Sequence, residues 1–190
     1  MRDFIREPVM ESITIAAPIE RVFALSTRVE LVQQTLGMRL VESALPNTVT
    51  AGHISAHSRV VWRGWKFGLP TSHHTLITAF APPERQPTGE VTAFFQDSQE
   101  RGRFAFFQHD HYFRQAYNPS CPAAAITELH DEIRFALPFG PLGRVAASWL
   151  LAPHIRSLAR RRFVMIKQLA ESDGWRSWID VTPPLATAYE

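Results

Sequence analysis

The feature that most constrains the fold is a long region of short β-type segments that ends in one long helical segment. Residues 58–137 alternate apolar and polar positions in short runs that are rich in β-branched and aromatic residues. Turn residues separate the runs, and the predicted turn "PPERQPTGE" contains three prolines. Short strands joined by turns predict an antiparallel meander with one apolar face to cover. The predicted strands are "SRVVWRGWKFG", "PTSHHTLITAFA", "EVTAFFQDSQ", "RFAFFQHDHYFRQ" and "ITELHDEIRFAL".

The helical segment that follows is amphipathic and is long enough to cover that face. It comes after the strand-breaking "PFGPLG" and runs to about Glu171, and Pro153 is expected to kink it or split it in two. Arg162 falls at the edge of the apolar face, while the other cations lie mainly opposite. The apolar face consists of Leu151, Ala152, Ile155, Leu158, Ala159, Phe163, Ile166, Leu169 and Ala170.

The N-terminal part supplies one strand and a short helical stretch. "MESITIA" alternates and predicts a strand, and Pro18 stands where a first helical turn would begin. The next segment fits one helix or two short helices that stop at Gly37, and "MRLVES" predicts a short strand. This order predicts an α+β fold in which a curved antiparallel sheet wraps around the last helix and leaves a hollow between them.

Composition excludes several classes of function. The chain has 190 residues, which suits one domain, and its formal net charge of +2 is too small to indicate nucleic acid. Cys121 is the only cysteine, so no intrachain disulfide forms, and we expect a reducing, cytoplasmic location. The chain shows neither a signal-peptide pattern nor an apolar run of membrane-spanning length, so no stable membrane insertion is expected. No phosphate-binding loop or G-x-S-x-G motif is present, and no cofactor is expected.

Four segments resemble the SRPBCC, or helix-grip, superfamily, which includes START lipid-transfer domains, polyketide cyclases and pollen-allergen-like proteins. They are "ITIAAPIERVFAL", the hairpin "RVVWRGWKFGLP" with "TLITAFAPPERQ", "GRFAFFQHDHYFR" and "TELHDEIRFALPFGPLGRV". The resemblance implies a bacterial helix-grip ligand-binding domain over residues 1–171, with about seven strands, and a separate tail over 172–190. Phe107 stands where this group commonly has tryptophan, and His73 stands near another usual aromatic position, so the pocket chemistry is expected to differ.

His109 and His111 are the central candidate residues for a binding site. They share one face of their predicted strand. In the next predicted strand, Asp131 lies on the same face as Ile133 and Phe135, so it is a carboxylate on an apolar face. A buried carboxylate is costly unless it is paired, and its nearest candidates are the two histidines and Arg162 from the helix. We therefore predict a polar cluster in the hollow, either a purely structural network or a site that orients a ligand.

Further residues are predicted around this cluster. Asp97 and Gln99 are candidates to join it or to be exposed at an edge, and His73 is expected to face inward while His74 faces outward. Trp65 and Phe67 are expected on the sheet face opposite Trp62. The complete predicted ligand-binding set is Trp62, His73, Phe95, Asp97, Phe107, His109, His111, Asp131, Phe135, Ile155 and Arg162.

Rival chemistries have weaker support. The sequence His109-Asp110-His111 faintly resembles a cupin metal motif, but the glutamate that should follow is missing, so no metal is predicted. "HISAH" is expected at the solvated surface, and Cys121 lies in a predicted loop with no activating pattern. "ARRRF" is expected to be a solvated basic turn, with an anion-binding group at a pocket mouth as the alternative.

Three functions remain open. The first is the binding of a small hydrophobic or amphipathic ligand such as a lipid, a polyketide or an aromatic metabolite. The second is a cofactor-independent cyclase or dehydratase in which His109 or His111 is the general acid or base and Asp131 sets its tautomer. The third is an interaction module whose hollow is filled by its own large aromatic side chains.

Overall fold

The computed structural model describes residues 8–116 and 125–179, so the predicted Cys121 loop lies outside the described residues. Within these ranges, seven antiparallel strands form one sheet in the order β1-β7-β6-β5-β4-β3-β2. Each strand after β1 therefore lies beside its neighbour in the chain, and β1 closes the other edge against β7. The strands are β1 Val9–Ile15, β2 Arg39–Leu40, β3 Arg59–Lys66, β4 Leu69–Arg85, β5 Val91–Arg101, β6 Phe106–Gln115 and β7 Thr127–Ala136.

Two short helices follow β1, α1 at Ile19–Thr27 and α2 at Val29–Leu36. Arg28 separates them because its backbone is extended, with φ −83° and ψ 117°. Gly37 ends α2 in the left-handed region at φ 64°, where the absence of a Cβ removes the steric penalty. The sequence permitted one helix or two, and the structure has two.

The C-terminal helical region has three parts. Helix α3 covers Gly140–Ala146, a π-helical segment covers Ala147–Leu151, and α4 covers Ala152–Ala170. Pro153 lies in the first turn of α4, where a missing N–H costs little. The interruption expected at Pro153 is therefore present as the π-helical segment immediately before α4.

The proline-rich turn between β4 and β5 is shorter than the sequence indicated. Pro82 and Pro83 lie within β4, which continues to Arg85. The register passes from Ala81, which pairs with Phe94, to Glu84, which pairs with Thr92, so the two prolines occupy a bulge. A bulge tolerates proline because its residues do not take part in the regular ladder of hydrogen bonds.

The core lies between the concave face of the sheet and the helices. The larger cluster joins α1 and α2 to the sheet and to α4 through residues such as Leu25, Phe113 and Phe163. A smaller cluster at the β1–β7 edge includes Ile133 and Phe135. No helix in the described residues is both long and apolar enough to cross a bilayer.

The described part of the predicted tail packs on this core. Asp173–Ser177 form a 3₁₀ turn, and Trp175, Trp178 and Ile179 are partly buried against the larger cluster. The Arg21 guanidinium lies 4.5 Å from the Trp175 ring centroid. Residues 172–179 are therefore an ordered extension of the helical layer.

Candidate functional site

A cavity of about 490 Å³ lies between the concave face of the sheet, α2 and the C-terminal helical region. Its wall is mainly aliphatic and aromatic, with a polar group on β5 and β6. The predicted site residues on this wall are Trp62, His73, Phe95, Asp97, Phe107, His109, His111, Ile155 and Arg162.

The polar cluster arises from the register of three neighbouring strands. His111 pairs with Asp131 on β7 and with Phe95 on β5, while His109 pairs with Asp97. Side chains on one face of a strand repeat every second residue, so these groups all point to the concave face. In the 10-residue strand β7, the side chains on the same face as Asp131 are buried, as the alternation in its sequence indicated.

His111 is held between two carboxylates. Its Nδ1 lies 2.7 Å from Asp131 Oδ1, and its Nε2 lies 3.2 Å from Asp97 Oδ2. The Phe95 ring stacks on it with centroids 4.0 Å apart. Both ring nitrogens therefore lie within hydrogen-bonding distance of a carboxylate oxygen.

Arg162 reaches the cluster from α4 and is buried there. Its Nη1 donates to Asp131 Oδ2 at 3.1 Å, and its Nη2 donates to the Ser26 carbonyl at 3.2 Å. One guanidinium thus connects β7, α4 and the end of α1. The position of Arg162 at the edge of the apolar helix face was the sequence signal for this contact.

His109 is the member of the cluster that shows more surface. Its side chain is 15% exposed, against 3% for His111. Nε2 lies 3.0 Å from Asp131 Oδ2 but outside hydrogen-bonding geometry, and Nδ1 lies 3.7 Å from Asp97 Oδ2. The ring therefore has carboxylates nearby while Nε2 lacks a directed hydrogen bond.

The charges in the cluster shift its pKa values. Burial opposes ionisation of Asp131, but His111, His109 and Arg162 outweigh it and hold the pKa well below the ordinary value. Burial likewise opposes ionisation of Asp97, and the hydrogen bond from His111 with the neighbouring histidines holds its pKa below the usual range. Burial, with His111 adding to it, lowers the pKa of His109 despite the two carboxylates. A lowered pKa favours a neutral His109 near pH 7, the form that accepts a proton.

The cluster also has the spacing of a small metal site. Asp97, His109 and His111 each offer one donor atom, and these atoms lie within 4.8 Å of one another. However, both nitrogens of His111 already face carboxylates, and the Arg162 guanidinium lies 3.1 Å from Nδ1 of that ring. A second cation there would be repelled, so the arrangement favours a hydrogen-bonded network over a metal centre.

Two predicted residues do not reach the cavity wall. Asp131 is fully buried beneath the histidines, so it acts on the cavity through them. Phe135 is also fully buried and packs against Phe104, with ring centroids 5.8 Å apart. Strand parity indicates the face of a side chain but not its depth, which explains both differences.

The neighbours of the cluster also differ in part from expectation. His73 faces the cavity and contacts Gln99, with 3.2 Å between Nδ1 and Oε1, whereas His74 is not on the wall. Trp65 is exposed on the opposite face, as predicted, but Phe67 lies at the cavity and not opposite it. Phe67 has φ 52° in the β3–β4 turn, so the strand alternation no longer applies to it.

Several wall residues were missed by the sequence reading. Val29, Val32 and Leu36 of α2 face the cavity, and their i, i+3, i+7 spacing was an available signal. Lys66 and His154 come from segments distant in sequence, and no local pattern pointed to them. Further wall residues outside the predicted set are Ser26, Met38, Arg103, Phe104 and Leu158.

Comparison with known proteins identifies the fold. No protein-family model matches this chain, and no curated protein matches it significantly. Among solved structures, TTHA0849 from Thermus thermophilus is similar, with 15% identity, a TM-score of 0.52, and coverage of 87% of this chain and 99% of that one. A Thalictrum norcoclaurine synthase point mutant in complex with a transition-state analogue is also similar, with 4% identity, a TM-score of 0.52, and coverage of 88% and 98%.

These identities are too low to carry an activity across, but the agreement in architecture extends over almost the whole of both structures. The predicted helix-grip fold is confirmed. With a seven-stranded antiparallel sheet, two short helices after the first strand and a long C-terminal helix, the chain has the helix-grip fold.

Proposed function

We propose that the protein binds a small amphipathic molecule, such as a lipid, a polyketide or an aromatic metabolite, in the cavity between the sheet and the C-terminal helical region. A cavity of about 490 Å³ is of the size that small organic ligands occupy in proteins. Its aliphatic and aromatic wall supplies affinity, and the His/Asp cluster supplies orientation.

One observation carries this proposal. His109 belongs to a cavity wall that is otherwise mainly apolar, and its side chain is 15% exposed there. A ligand whose hydroxyl or carbonyl bonds to the accessible part of this ring would be held with its polar group at the inner end, while its apolar part lies against the aliphatic and aromatic wall. This combination supports binding of an amphipathic molecule.

The test begins with native mass spectrometry of the purified protein, followed by identification of any released molecule. N-phenyl-1-naphthylamine, a neutral fluorophore, then reports on the cavity by titration. Val32→Trp fills the cavity from α2 and should abolish fluorophore binding, whereas Gln34→Trp on the exposed side of the same helix should not. Equal binding by both variants would refute the proposed site.

An acid–base enzyme is the second candidate, and the lowered pKa of His109 beside Asp131 favours it. A neutral His109 would remove a proton from a carbon next to a carbonyl, and the imidazolium, stabilised by Asp131, would return that proton to a departing hydroxyl as water. The similar norcoclaurine synthase shows that this fold accommodates an enzyme.

Deuterium exchange separates the two candidates. The molecule recovered from the protein after incubation in D₂O would carry deuterium on carbon if His109 acts as a base, and His109→Gln would prevent this while the fluorophore still binds. If the ligand recovered from the wild-type protein carries no deuterium, the enzyme hypothesis is refuted and only the binding function remains. The third candidate is a hollow filled by its own side chains, and the cavity of about 490 Å³ argues against it.

A further inference from the structure

The cavity opens between the β3–β4 hairpin and the C-terminal helical region. Four apolar wall residues there are at least half exposed. Phe67 (51%) and Leu69 (50%) lie on the hairpin, and Phe139 (82%) and Leu150 (52%) lie opposite. Phe67 spans the gap, because its ring lies 5.1 Å from the His154 ring of α4, centroid to centroid. These residues define the cavity mouth, which is remote in sequence from the His/Asp cluster.

Two cationic side chains and a histidine converge at this mouth. Lys66, at the end of β3, and His154, on α4, both belong to the cavity wall. Arg161 lies two turns after His154, and its charge acts on both of them. Lys66 Nζ donates one hydrogen bond, to the Leu36 carbonyl at the end of α2, which leaves two of its three donors.

These cations are not neutralised within the described residues. Burial lowers the pKa of Lys66 and that of His154, and in each case neighbouring cations lower it further. The cavity wall contains a single acid in the described part of the chain, Asp97, which is already paired with His111. An anion that entered the mouth would meet no competing carboxylate there.

The contrast along α4 shows that the unpaired charge is local. Arg156 and Arg160 pair with Glu11, Arg162 pairs with Asp131, and Lys167 pairs with Glu171. Arg161 has no ion pair among the described residues; its Nε contacts the Ser157 carbonyl at 3.4 Å. Within the described residues, the α4 cation without a carboxylate partner is thus Arg161, whose charge acts on Lys66 and His154.

The polar atoms of the mouth include a further unsatisfied group. His154 Nε2 is buried and has no hydrogen-bond partner in the described residues. The charge of Lys66 acts on the same ring. Buried groups of this kind are uncommon unless something outside the chain satisfies them.

We propose that Lys66, His154 and Arg161 bind the anionic group of an amphipathic acid, a carboxylate or a phosphate, at the cavity mouth. The apolar body of the ligand then lies along the wall, and a hydroxyl or carbonyl at its inner end meets His109. This inference rests on the proposed binding function and adds the charge and the orientation of the ligand.

The test compares two ligands that share a twelve-carbon chain and carry either an anionic or a neutral polar group. Dodecanoic acid and dodecan-1-ol compete with bound N-phenyl-1-naphthylamine at neutral pH. One charge-assisted hydrogen bond should make the acid about tenfold tighter than the alcohol. Lys66→Met should remove this preference for the acid over the alcohol, and Arg161→Met should reduce it. Arg160→Met is the matched control, because that side chain is exposed and pairs with Glu11.

The outcomes separate this inference from the function beneath it. If the acid and the alcohol bind equally well to the wild-type protein, the mouth site is refuted while the binding function stands. If the fluorophore does not bind at all, both are refuted. The salt dependence of binding gives a readout that needs no variant. Raising the salt concentration from about 0.01 M to about 1 M should weaken binding of the acid but not binding of the alcohol.

A last arm identifies the source of the anion. Cosedimentation with phosphatidylglycerol vesicles but not with phosphatidylcholine vesicles, lost in Lys66→Met, would indicate a lipid headgroup presented at a surface. Tighter competition by dodecanoic acid than by dodecan-1-ol, without cosedimentation, would indicate a dissolved acid. Either result supports an anion site at the mouth, and neither is expected if these cations are only solvated surface.

Discussion

Replacing Asp131 tests whether the His/Asp cluster supports the fold. The carboxylate is 0% exposed, lies 2.7 Å from His111 Nδ1 and accepts a hydrogen bond from Arg162 at 3.1 Å. Asp131→Ala leaves the Arg162 guanidinium buried without its partner, and breaking a buried pair in this way costs about 3–5 kcal/mol. We expect a loss of that size in the free energy of unfolding, measured by urea denaturation at pH 7.

Two comparisons make this prediction specific. Asp173→Ala removes a carboxylate from the exposed pair with Arg176, so it should change the unfolding free energy by less than about 1 kcal/mol. The double variant Asp131→Ala with Arg162→Met removes both buried charges, so it should recover part of the loss. A loss below about 1 kcal/mol for Asp131→Ala alone would show that the cluster tolerates an unpaired charge, and the reasoning would be wrong.

The pH dependence of the Asp131 contribution to stability has a definite sign. The pKa of Asp131 is lower in the folded protein than in the unfolded chain, where it is about 3.9. Its contribution to stability is therefore fully present above that unfolded value and is lost as the pH falls towards the folded pKa. Wild-type stability should decline faster than that of Asp131→Asn below about pH 4, and parallel curves would contradict this assignment.

Three further predictions concern other parts of the molecule. His109 has a lowered folded pKa, so its stabilising contribution is present above about pH 6.5 and is lost as the pH falls through the folded pKa; His109→Gln should flatten the stability curve there, which urea denaturation at several pH values measures. Gly143→Ala should cost about 1–3 kcal/mol, because a Cβ would lie 2.0 Å from the Pro138 carbonyl oxygen, and thermal denaturation beside the wild type checks this. Truncation after Glu171 should cost about 1–3 kcal/mol through loss of the Trp175 and Trp178 packing, and an unchanged melting temperature would show that this packing is not stabilising.

Local patterns in the sequence were sufficient for the centre of the site. Alternation along β6 placed His109 and His111 on one face, and the apolar parity of β7 marked Asp131 as a buried carboxylate in need of partners. Arg162 followed from the helical periodicity of α4. In each case one periodic element fixes the direction of the side chain, and only adjacent elements are needed to complete the contact.

The mouth of the cavity was not predictable in the same way. Phe67 faces the cavity because of a left-handed turn residue, and His154 meets it only after the hairpin folds against α4. These contacts depend on the relative placement of segments that are far apart in the chain. Sequence periodicity carries no information about that placement, so Lys66 and His154 gave no signal although their residue types were informative.

The π-helical segment Ala147–Leu151 fixes the rotational phase of α3 relative to α4. One residue in a helix corresponds to a rotation of about 100°. Deleting a single residue from this segment, for example Ser148, would turn α3 by that angle and carry Phe139 and the start of the helix away from the β3–β4 hairpin. An insertion or deletion of one residue there would exchange the side chains that border the opening while the sheet and the His/Asp cluster stayed in place. The width and polarity of the opening are thus adjustable at a segment that lies outside the His/Asp cluster.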